Sequence, residues 1–320
     1  MFDVIGIESP VIDMNVNVDK LPQPNRGERV RMVTYQGGGK VSSGMVASAR
    51  LGAKCAMIGT TCDDSAGRFL RKDFADHGIN VDSILTREGQ RTFMSIVLSD
   101  KETGGRSIMG YPGTMSPITE DEINWDMLRQ SRYFFIANAS DLIVKAVDIA
   151  RESGVKIFID ADHYTDAIHA LIPKIDVFVG SEFFYNSMFQ DNDYEKNMRT
   201  IMDMGPEIVV FTFGERGCVG ISKDEPYFEL PAFKVDVVDT VGAGDVYHGA
   251  FVAGLAAGRT VRDTARFASA VSAIKCTRIG GRAGIPDLKT VERFMEDGYI
   301  DYTEIDQRVE GYRYSLEQFR

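Results

Sequence analysis

The sequence has few cysteines and histidines, a single tryptophan and no long apolar run. Its four cysteines form no Cys-x-x-Cys pair and its four histidines are scattered, which argues against a disulfide framework or a metal site formed by Cys and His. No apolar segment approaches the roughly 20 residues of a membrane span, and the N-terminus does not resemble a signal peptide. We therefore expect a cytoplasmic protein with free thiols and no membrane partner.

Positive charge is also in deficit. The chain has 36 Lys and Arg residues against 47 Asp and Glu residues, a net charge of −11. This balance argues against a nucleic acid or an anionic membrane as partner, and an anionic ligand must be bound by local donors. The 320 residues, 44% of them hydrophobic, are sufficient for one large α/β domain with an accessory element.

Short apolar segments alternate with helical patterns along the chain. Most of these segments are apolar on both faces, which is typical of a parallel sheet covered by helices. The predicted strands are Phe2–Ile7, Lys54–Gly59, Tyr133–Ile136, Lys156–Ile159, Asp176–Val179 and Ile208–Thr212. Residues 140–153 have apolar side chains at helical spacing. The alternation predicts a doubly wound, mostly parallel sheet flanked by helices.

Two segments interrupt this alternation. Residues from about 30 to 36 and from 91 to 111 are typical of strands and hairpins, with Gly104-Gly105 at a turn. They predict a small β layer inserted into a single domain that spans residues 1–320. Residues 287–320 leave the periodic core and form a C-terminal extension, with one predicted helix at Leu288–Met295 and no assigned role.

The segment Asp239–Asp245 is the most informative in the chain. It precedes a predicted helix, Val246–Ala257, and Gly242 and Gly244 allow backbone N–H groups to surround a small anion beside the positive helix N-terminus. Asp245, in the first helical turn, is placed to take a proton from an attacking hydroxyl group. The pattern indicates phosphoryl transfer to an alcohol. On its own, a glycine loop with a helix-start Asp explains it equally well.

Three further features indicate ligand contacts. A glycine run at residues 37–39 precedes a helix, as in a ligand-binding loop or a tight strand-to-helix turn. Asp13, just beyond the first strand, is at the edge where α/β proteins bind ligands and can accept from two sugar hydroxyls, although a turn Asp is an alternative. Arg106 follows a glycine pair and is either a partner for phosphate or carboxylate or a solvated hairpin arginine.

In this order, the motifs resemble those of the ribokinase/PfkB carbohydrate kinase family. Asp239–Asp245 matches the family pattern Asp-Thr-x-Gly-Ala-Gly-Asp, and the glycine pair before a helix that ends in Leu51-Gly52 is similar to its N-terminal signature. The resemblance covers about residues 1–286. It implies a ribokinase-like fold in which the inserted β layer is a lid over the substrate.

The resemblance also implies roles for individual residues. Asp245 is the expected general base, and the N–H groups of Gly242, Ala243 and Gly244 are expected to stabilise the γ-phosphoryl group. The segment from Thr212 to Gly217 resembles the family's Thr-x-Gly-x-x-Gly nucleotide loop. The residues expected at the nucleotide are Thr212, Gly214, Gly217, Asp239 and Thr240. Those expected at the substrate are Asp13, Gly38, Gly39, Lys40, Ser43 and Arg106.

The expected cofactors are ATP and Mg²⁺, which bridges the β- and γ-phosphates. Many family members carry Asn-x-x-Glu after a central strand to organise Mg²⁺, whereas this chain has Phe184 at the Glu position. Glu182, acting through water, is then the candidate for this role. Some members bind a monovalent cation such as K⁺ through backbone carbonyls near Gly280 and the Asp-Thr motif, and the sequence leaves open whether this chain does.

These features predict an ATP-dependent kinase for a sugar or polyol. Ribokinase-like members have Asn where this chain has Ser43, which favours a hexose, ketose or polyol over ribose. A nucleoside or ribose kinase of the same family and a non-catalytic sugar or nucleotide sensor on the same fold are alternatives. A Rossmann dehydrogenase is disfavoured because Gly-x-Gly-x-x-Gly is missing after the first strand.

The predicted lid strand Thr92–Leu98 has apolar residues on both faces. The substrate cleft can cover one face, and a symmetry-related lid can cover the other. We therefore expect a homodimer formed through the lid. The alternative is that a neighbouring loop of the same chain covers the second face.

Overall fold

Strands and helices alternate along most of the chain. The computed structural model describes residues 1–102 and 104–313. The strands in this part are β1 (Phe2–Ile7), β2 (Val11–Val18), β3 (Val30–Gly38), β4 (Cys55–Cys62), β5 (Asn80–Arg87), β6 (Met94–Asp100), β7 (Arg106–Tyr111), β8 (Ser131–Ile136), β9 (Lys156–Ala161), β10 (Val177–Ser181), β11 (Ile208–Thr212), β12 (Cys218–Ser222) and β13 (Phe228–Leu230). The α-helices are α1 (Lys40–Arg50), α2 (Ser65–Asp76), α3 (Trp125–Arg129), α4 (Asp141–Glu152), α5 (Asp166–Leu171), α6 (Glu182–Met188), α7 (Tyr194–Met202), α8 (Ala243–Ala256), α9 (Val261–Cys276), α10 (Leu288–Asp297) and α11 (Thr303–Tyr312).

Nine strands form one large sheet in the order β13-β12-β11-β10-β9-β8-β1-β4-β5. All neighbouring pairs from β11 to β5 are parallel, and the two pairs at the other edge, β11 with β12 and β12 with β13, are antiparallel. Every residue of β4 is buried, as expected where helices cover both faces of a parallel sheet. The doubly wound, mostly parallel architecture predicted from the sequence is confirmed.

Helices α1 and α8 pack on one face of this sheet with their backbones in close approach. A Cβ atom on Gly249 of α8 would lie 2.0 Å from the carbonyl oxygen of Gly44 in α1. The Ser48 hydroxyl donates to the carbonyl oxygens of Gly44, at 3.0 Å, and Gly249, at 2.7 Å. The small residues of both helices therefore allow the N-terminus of α8 to lie next to the turn that begins α1.

A second sheet of four strands has the order β3-β2-β6-β7. It contains the segments predicted as lid strands, together with β2, which the sequence did not predict as a strand. The polar residues Asn15 and Asn17 interrupt the apolar pattern by which strands were predicted. Both are nevertheless buried, and the side-chain amide of Asn17 donates to the Ser99 hydroxyl at 3.1 Å. Asp13 consequently lies within β2 of the small sheet, not at the end of a strand in the large sheet.

The C-terminal segment packs against the rest of the chain. Helix α10 extends the predicted Leu288–Met295 helix by two residues, and α11 was not predicted. Tyr312 of α11 is buried. Residues 314–320 of the predicted extension lie outside the described residues. All four cysteines are buried free thiols, and no helix in the described ranges has the length and apolarity to cross a bilayer.

Candidate active site

The segment Asp239–Asp245 is a turn that leads into α8. Gly242 has a φ of 71°, in the left-handed region that glycine adopts most readily. A Cβ atom at this position would lie 2.9 Å from the Cα atom of Gly281. Backbone conformation and lack of space therefore both favour glycine here, and α8 begins at the next residue.

Two backbone amides at this helix start are available to an anion. Among the described residues, the N–H groups of Gly242 and Gly244 donate to no protein acceptor. The N–H group of Ala243 instead donates to the carbonyl oxygen of Thr240 at 3.1 Å and closes the turn. The structure thus leaves two of the three expected amides open, at the N-terminus of a fourteen-residue helix that adds its partial positive charge.

Asp239 stabilises this turn through both carboxylate oxygens. One accepts from the N–H group of Val241 at 2.9 Å and the other from that of Gly280 at 2.8 Å, and the side chain is buried. The Thr240 hydroxyl donates to the carbonyl oxygen of Gly104, at 3.4 Å, in the turn between β6 and β7. Asp239, which was expected to contact the nucleotide, therefore has a structural role, because its carboxylate holds the turn in place.

Asp245 lies in the first turn of α8 among several charged side chains. Burial raises the pKa of its carboxyl group well above the usual value, and the negative charge of Asp160 raises it further. The charge of Lys40 acts in the opposite direction. Because a carboxylate with a raised pKa is a stronger base, this environment suits the removal of a proton from a hydroxyl group.

Lys40 begins α1 and forms an ion pair with Asp162, with 2.6 Å between Nζ and Oδ2. Burial by itself lowers the pKa of Lys40, but the carboxylates of Asp160, Asp162 and Asp245 together raise it. Lys40 is therefore the positive charge that balances the acidic side chains around Asp245.

Asp160 and His248 belong to the same group of side chains and were not predicted as site residues. Asp160 is buried at the end of β9, with its Oδ1 atom 3.5 Å from Nε2 of His248. The other ring nitrogen of His248 lies 2.6 Å from the Gly244 carbonyl oxygen, and Nε2 lies 3.2 Å from that of Val179. The position of Asp160 after a predicted strand was the signal that could have identified it.

The glycine run at residues 37–39 packs against two acidic side chains. A Cβ atom on Gly38 would lie 2.3 Å from Oδ2 of Asp13, and one on Gly39 would lie 2.4 Å from Oε2 of Glu8. Glu8, which follows β1, also accepts from the N–H group of Ser42 at 2.7 Å. These glycines are therefore needed because carboxylates occupy the adjacent space.

The carboxyl groups of Asp13 and Glu8 are both strongly affected by burial. Burial raises the pKa of Asp13 to about 6, against the hydrogen bond with Ser95 and the charge of Arg282. Burial likewise raises the pKa of Glu8. Sequence reasoning missed Glu8, although an acidic residue directly after a buried strand is the same signal that was used for Asp13.

Arg282, also missed, explains the first glycine of the run. It is fully buried, pairs with Asp73 at 2.6 Å and donates to the carbonyl oxygen of Gly38 at 3.0 Å. A Cβ atom on Gly37 would lie 2.0 Å from its Nη1 atom. The guanidinium group thus fixes the turn between β3 and α1.

The expected nucleotide loop follows β11, which is the neighbour of β10 in the large sheet. Thr212 ends β11, and its hydroxyl donates to the carbonyl oxygen of Gly180 at 3.4 Å, one residue from the Val179 carbonyl that contacts His248. Gly214 and Gly217 have φ values of 56° and 94°. The loop therefore lies at the same edge of the sheet as Asp245.

Arg106 begins β7 and is exposed. Burial raises the pKa of the Cys276 thiol, and Arg106 is near enough for its charge to act against this rise. With the contact between Gly104 and Thr240, this places the β6–β7 turn beside the Asp239–Asp245 segment. Arg106 is thus on the side of the small sheet that approaches the expected phosphate site.

A model of the pfkB family carbohydrate kinases matches residues 1–288. The chain belongs to this family. It is 25% identical over 323 residues to the 5-dehydro-2-deoxygluconokinase of Shouchella clausii (strain KSM-K16), covering 93% of this chain and 97% of that relative. The resemblance to carbohydrate kinases inferred from the motifs is therefore confirmed.

Solved structures show the same fold. The ribokinase of Thermotoga maritima superposes with a TM-score of 0.78 at 23% identity, covering 93% of this chain and all of that one. The ribokinase of Arabidopsis thaliana, complexed with ribose and ATP, superposes with a TM-score of 0.76 at 18% identity, covering 92% of this chain and 99% of that one.

Two positions depart from the pattern of the pfkB family. Phe184 is fully buried and packs edge-on against Phe178, with 5.1 Å between ring centroids, so this position faces the core. Glu182 forms an exposed ion pair with Arg216 at 2.7 Å. Ser43 is buried in α1, and its hydroxyl lies 3.9 Å from the position of a Cβ atom on Gly281.

Proposed function

We propose that this carbohydrate kinase transfers the γ-phosphoryl group of ATP to a hydroxyl group of a sugar or polyol. One observation carries the proposal. The Asp245 carboxylate lies in the first turn of α8, directly after the open amides of Gly242 and Gly244. A base and an anion site in adjacent positions are what phosphoryl transfer to an alcohol requires.

In the proposed reaction, Asp245 accepts the proton of the substrate hydroxyl group. The hydroxyl oxygen forms a bond to the γ-phosphorus while the bond from this phosphorus to the bridging oxygen of ADP breaks, and the electron pair leaves with ADP. The N–H groups of Gly242 and Gly244 donate to the phosphoryl oxygens as negative charge develops. Lys40 limits the repulsion between Asp245 and the neighbouring carboxylates.

The residues present fit ATP, with the Thr212–Gly217 loop and the start of α8 at one edge of the sheet. Mg²⁺ bound with ATP would neutralise part of the charge of its phosphates. No group of three or more His, Cys, Asp or Glu side chains within the described ranges could hold a metal. Phosphates and water would supply most ligands of Mg²⁺, as they commonly do in kinases.

For the substrate, we infer a hexose, a ketose or a related sugar acid. Asp13 and Glu8 are hydrogen-bond acceptors for sugar hydroxyl groups, and Lys40 and Arg106 are cations that can pair with a carboxylate. The Shouchella clausii relative is named as a kinase for 5-dehydro-2-deoxygluconate, a keto acid derived from a hexose. This chemistry agrees with the preference for a hexose or ketose indicated by Ser43.

A substrate panel tests this proposal. ADP release should be measured with 5-dehydro-2-deoxygluconate, fructose, a hexitol, ribose and adenosine. We expect the highest kcat/KM with the keto acid or the ketose. A clear preference for ribose or adenosine would overturn the substrate assignment. ATP binding without turnover on any of them would favour a non-catalytic sensor.

The role of Asp245 is tested by Asp245→Asn, which keeps the shape of the side chain but cannot accept the proton. We expect kcat to fall by roughly 10²–10⁴, the usual contribution of a general base. ATP affinity should change little. Asp263→Asn, at the corresponding first turn of α9, is the matched control. Turnover of Asp245→Asn near the wild-type level would exclude Asp245 as the base.

We also propose that the small sheet is a lid over the substrate and forms a homodimer. The contact of Gly104 with Thr240 supports the first part, because it brings the β6–β7 turn to the Asp239–Asp245 segment. Exposed apolar side chains on β7 support the second part.

A further inference from the structure

Lys275, in the last turn of α9, is fully buried and has no part in the mechanism proposed above. Its ammonium group donates to the backbone carbonyl oxygen of Asp239 at 3.0 Å and also to that of Val241. Burial of an ammonium group is unfavourable unless protein acceptors replace its contacts with water. The presence of lysine here therefore has to be explained by these two carbonyls.

Both carbonyls belong to the turn that carries the open amides. In a planar trans peptide, the C=O and N–H groups of one unit point in opposite directions. The carbonyl of Val241 points to Lys275, so the N–H group of the same unit, which belongs to Gly242, points away from the ammonium group. Of the three amides expected at the phosphoryl group, this is one of the two that donate to no protein acceptor among the described residues. Lys275 thus sets the direction of a donor that the proposed reaction uses.

Asp239 fixes the same turn through its carboxylate, which accepts from the N–H groups of Val241 and Gly280. The segment after α9 packs closely on the backbone of Lys275, since a Cβ atom on Gly284 would lie 2.4 Å from the carbonyl oxygen of Lys275. The positive charge of Lys275 next to the Val241 carbonyl also polarises this peptide unit, which strengthens the Gly242 N–H group as a donor.

Backbone carbonyl oxygens are good ligands for K⁺, and the family resemblance left open a monovalent-cation site formed by carbonyls near this motif. In this chain, Lys275 occupies two carbonyls of the motif. We propose that Lys275 is a positioning residue that supplies this positive charge from within the chain, so that activity requires no exchangeable monovalent cation. The inference rests on the proposed phosphoryl transfer, because the orientation of Gly242 matters only if its N–H group binds the phosphoryl group.

The wild-type chain provides the first test. Turnover and Tm should be measured in the chlorides of K⁺, Na⁺ and tetramethylammonium at equal ionic strength. We expect kcat to agree within about twofold among the three salts and Tm to show no shift specific to K⁺. A tenfold or larger activation by K⁺, or a Tm rise specific to K⁺, would overturn the proposal.

The second test uses two variants that differ in the space they leave. Lys275→Ala removes the charge and opens a cavity, so we expect kcat to fall about 10²-fold in tetramethylammonium with little change in the sugar KM, as when an oxyanion donor is lost. K⁺ or ammonium should restore kcat at least about tenfold and raise the Tm of this variant. Lys275→Met fills the space without charge and should stay impaired in every salt.

Arg278→Ala is the matched control, since Arg278 also lies near the end of α9 but pairs with Asp306 at the surface. It should retain wild-type kcat in all three salts. A wild-type kcat in Lys275→Met would overturn the proposal. So would a loss of kcat in Lys275→Ala that is equal in all salts, with no rescue of kcat or Tm by K⁺ or ammonium. Failure of the proposed function can be distinguished from failure of this inference. In that case the wild-type chain would transfer no phosphoryl group, whereas the Tm comparisons would still report on cation binding.

Discussion

At the scale of single residues, the charges around Asp245 work in opposite directions. Burial and the carboxylate of Asp160 raise the pKa of Asp245, whereas Lys40 lowers it. Because only the ionised carboxylate can accept a proton, the pKa of Asp245 should set the lower pH limit of kcat/KM. This limit should therefore lie above the pH at which an exposed aspartate ionises.

Two substitutions should move this limit in opposite directions. Asp160→Asn removes a negative charge, which lowers the pKa of Asp245 and shifts the acid limb of kcat/KM to lower pH. Lys40→Met removes a positive charge, which raises this pKa and shifts the acid limb to higher pH. Profiles of kcat/KM from pH 4.5 to 9 with saturating ATP check both. Shifts in the same direction, or no shift, would contradict the assignment of Asp245 as the titrating base.

Asp13 should reduce the stability of the free enzyme at neutral pH. Its pKa is about 6 in the folded chain, above the ordinary 3.8, because the carboxyl group is buried. The folded state therefore binds this proton more tightly than the unfolded state, and stability should fall as pH rises from about 4 to 6. Above this range, the buried carboxylate should cost up to about 3 kcal/mol.

The variant Asp13→Asn separates this effect from substrate binding. At pH 7.5 we expect it to be more stable than the wild type by about 1–3 kcal/mol, with little difference at pH 4. The sugar KM should rise because an acceptor for its hydroxyl groups is weakened. Denaturant unfolding at the two pH values measures the first effect. An equal difference in stability at both pH values would show that ionisation of Asp13 is not its source.

At the scale of secondary-structure elements, the apolar strands of the large sheet could be predicted. Because both of their faces are buried, their apolar residues form uninterrupted runs in the sequence. Strand β2 could not be predicted, because its polar residues Asn15 and Asn17 are buried, and Asn17 donates to Ser99 on the neighbouring strand β6. Lys275 and Arg282 were hidden for a similar reason. Their acceptors lie 34 or more residues away in the chain, so local patterns carry no sign that these charges are buried.

Helix α11 connects the C-terminal segment to the substrate side of the site. The Tyr312 hydroxyl donates to Asp73 and lies 3.0 Å from Nε2 of His77. Asp73 pairs with Arg282, which donates to the carbonyl oxygen of Gly38. Although burial favours the protonated form, His77, Arg282 and Tyr312 together hold the pKa of Asp73 well below its usual range. The extension therefore completes a buried polar network behind the glycine run.

Replacement of Tyr312 should accordingly affect both stability and sugar binding. Tyr312→Ala leaves a cavity and should destabilise the chain by about 3–5 kcal/mol, while Tyr312→Phe loses only hydrogen bonds and should cost about 1 kcal/mol. Unfolding in urea measures both effects, and the sugar KM should rise in the alanine variant. Tyr299→Ala, at an exposed position, is the control. Equal effects of the two alanine substitutions would show that α11 does not support the site.

At the scale of the whole molecule, the small sheet has an uncovered apolar edge. Strand β7 is the last strand in the order β3-β2-β6-β7, and Ile108, Met109 and Tyr111 on it are each at least half exposed. Ile108 and Met109 are adjacent, so they point to opposite faces of the strand. The alternative to a dimer, cover by a loop of the same chain, was raised for Thr92–Leu98. On β7, the three side chains named above are exposed within the described part of the chain.

A two-fold dimer through this edge is the simplest assembly that covers these side chains, because each small sheet can bury the apolar surface of the other. Light scattering at micromolar concentration should give a mass near twice the 35.5 kDa of the chain. Ile108→Lys places a charge in the proposed interface and should shift the species to the monomer, while Tyr299→Lys, exposed outside the small sheet, should leave the dimer intact. Activity should fall with dissociation if the partner stabilises the lid. A homogeneous monomer of the wild type with full activity would exclude the dimer.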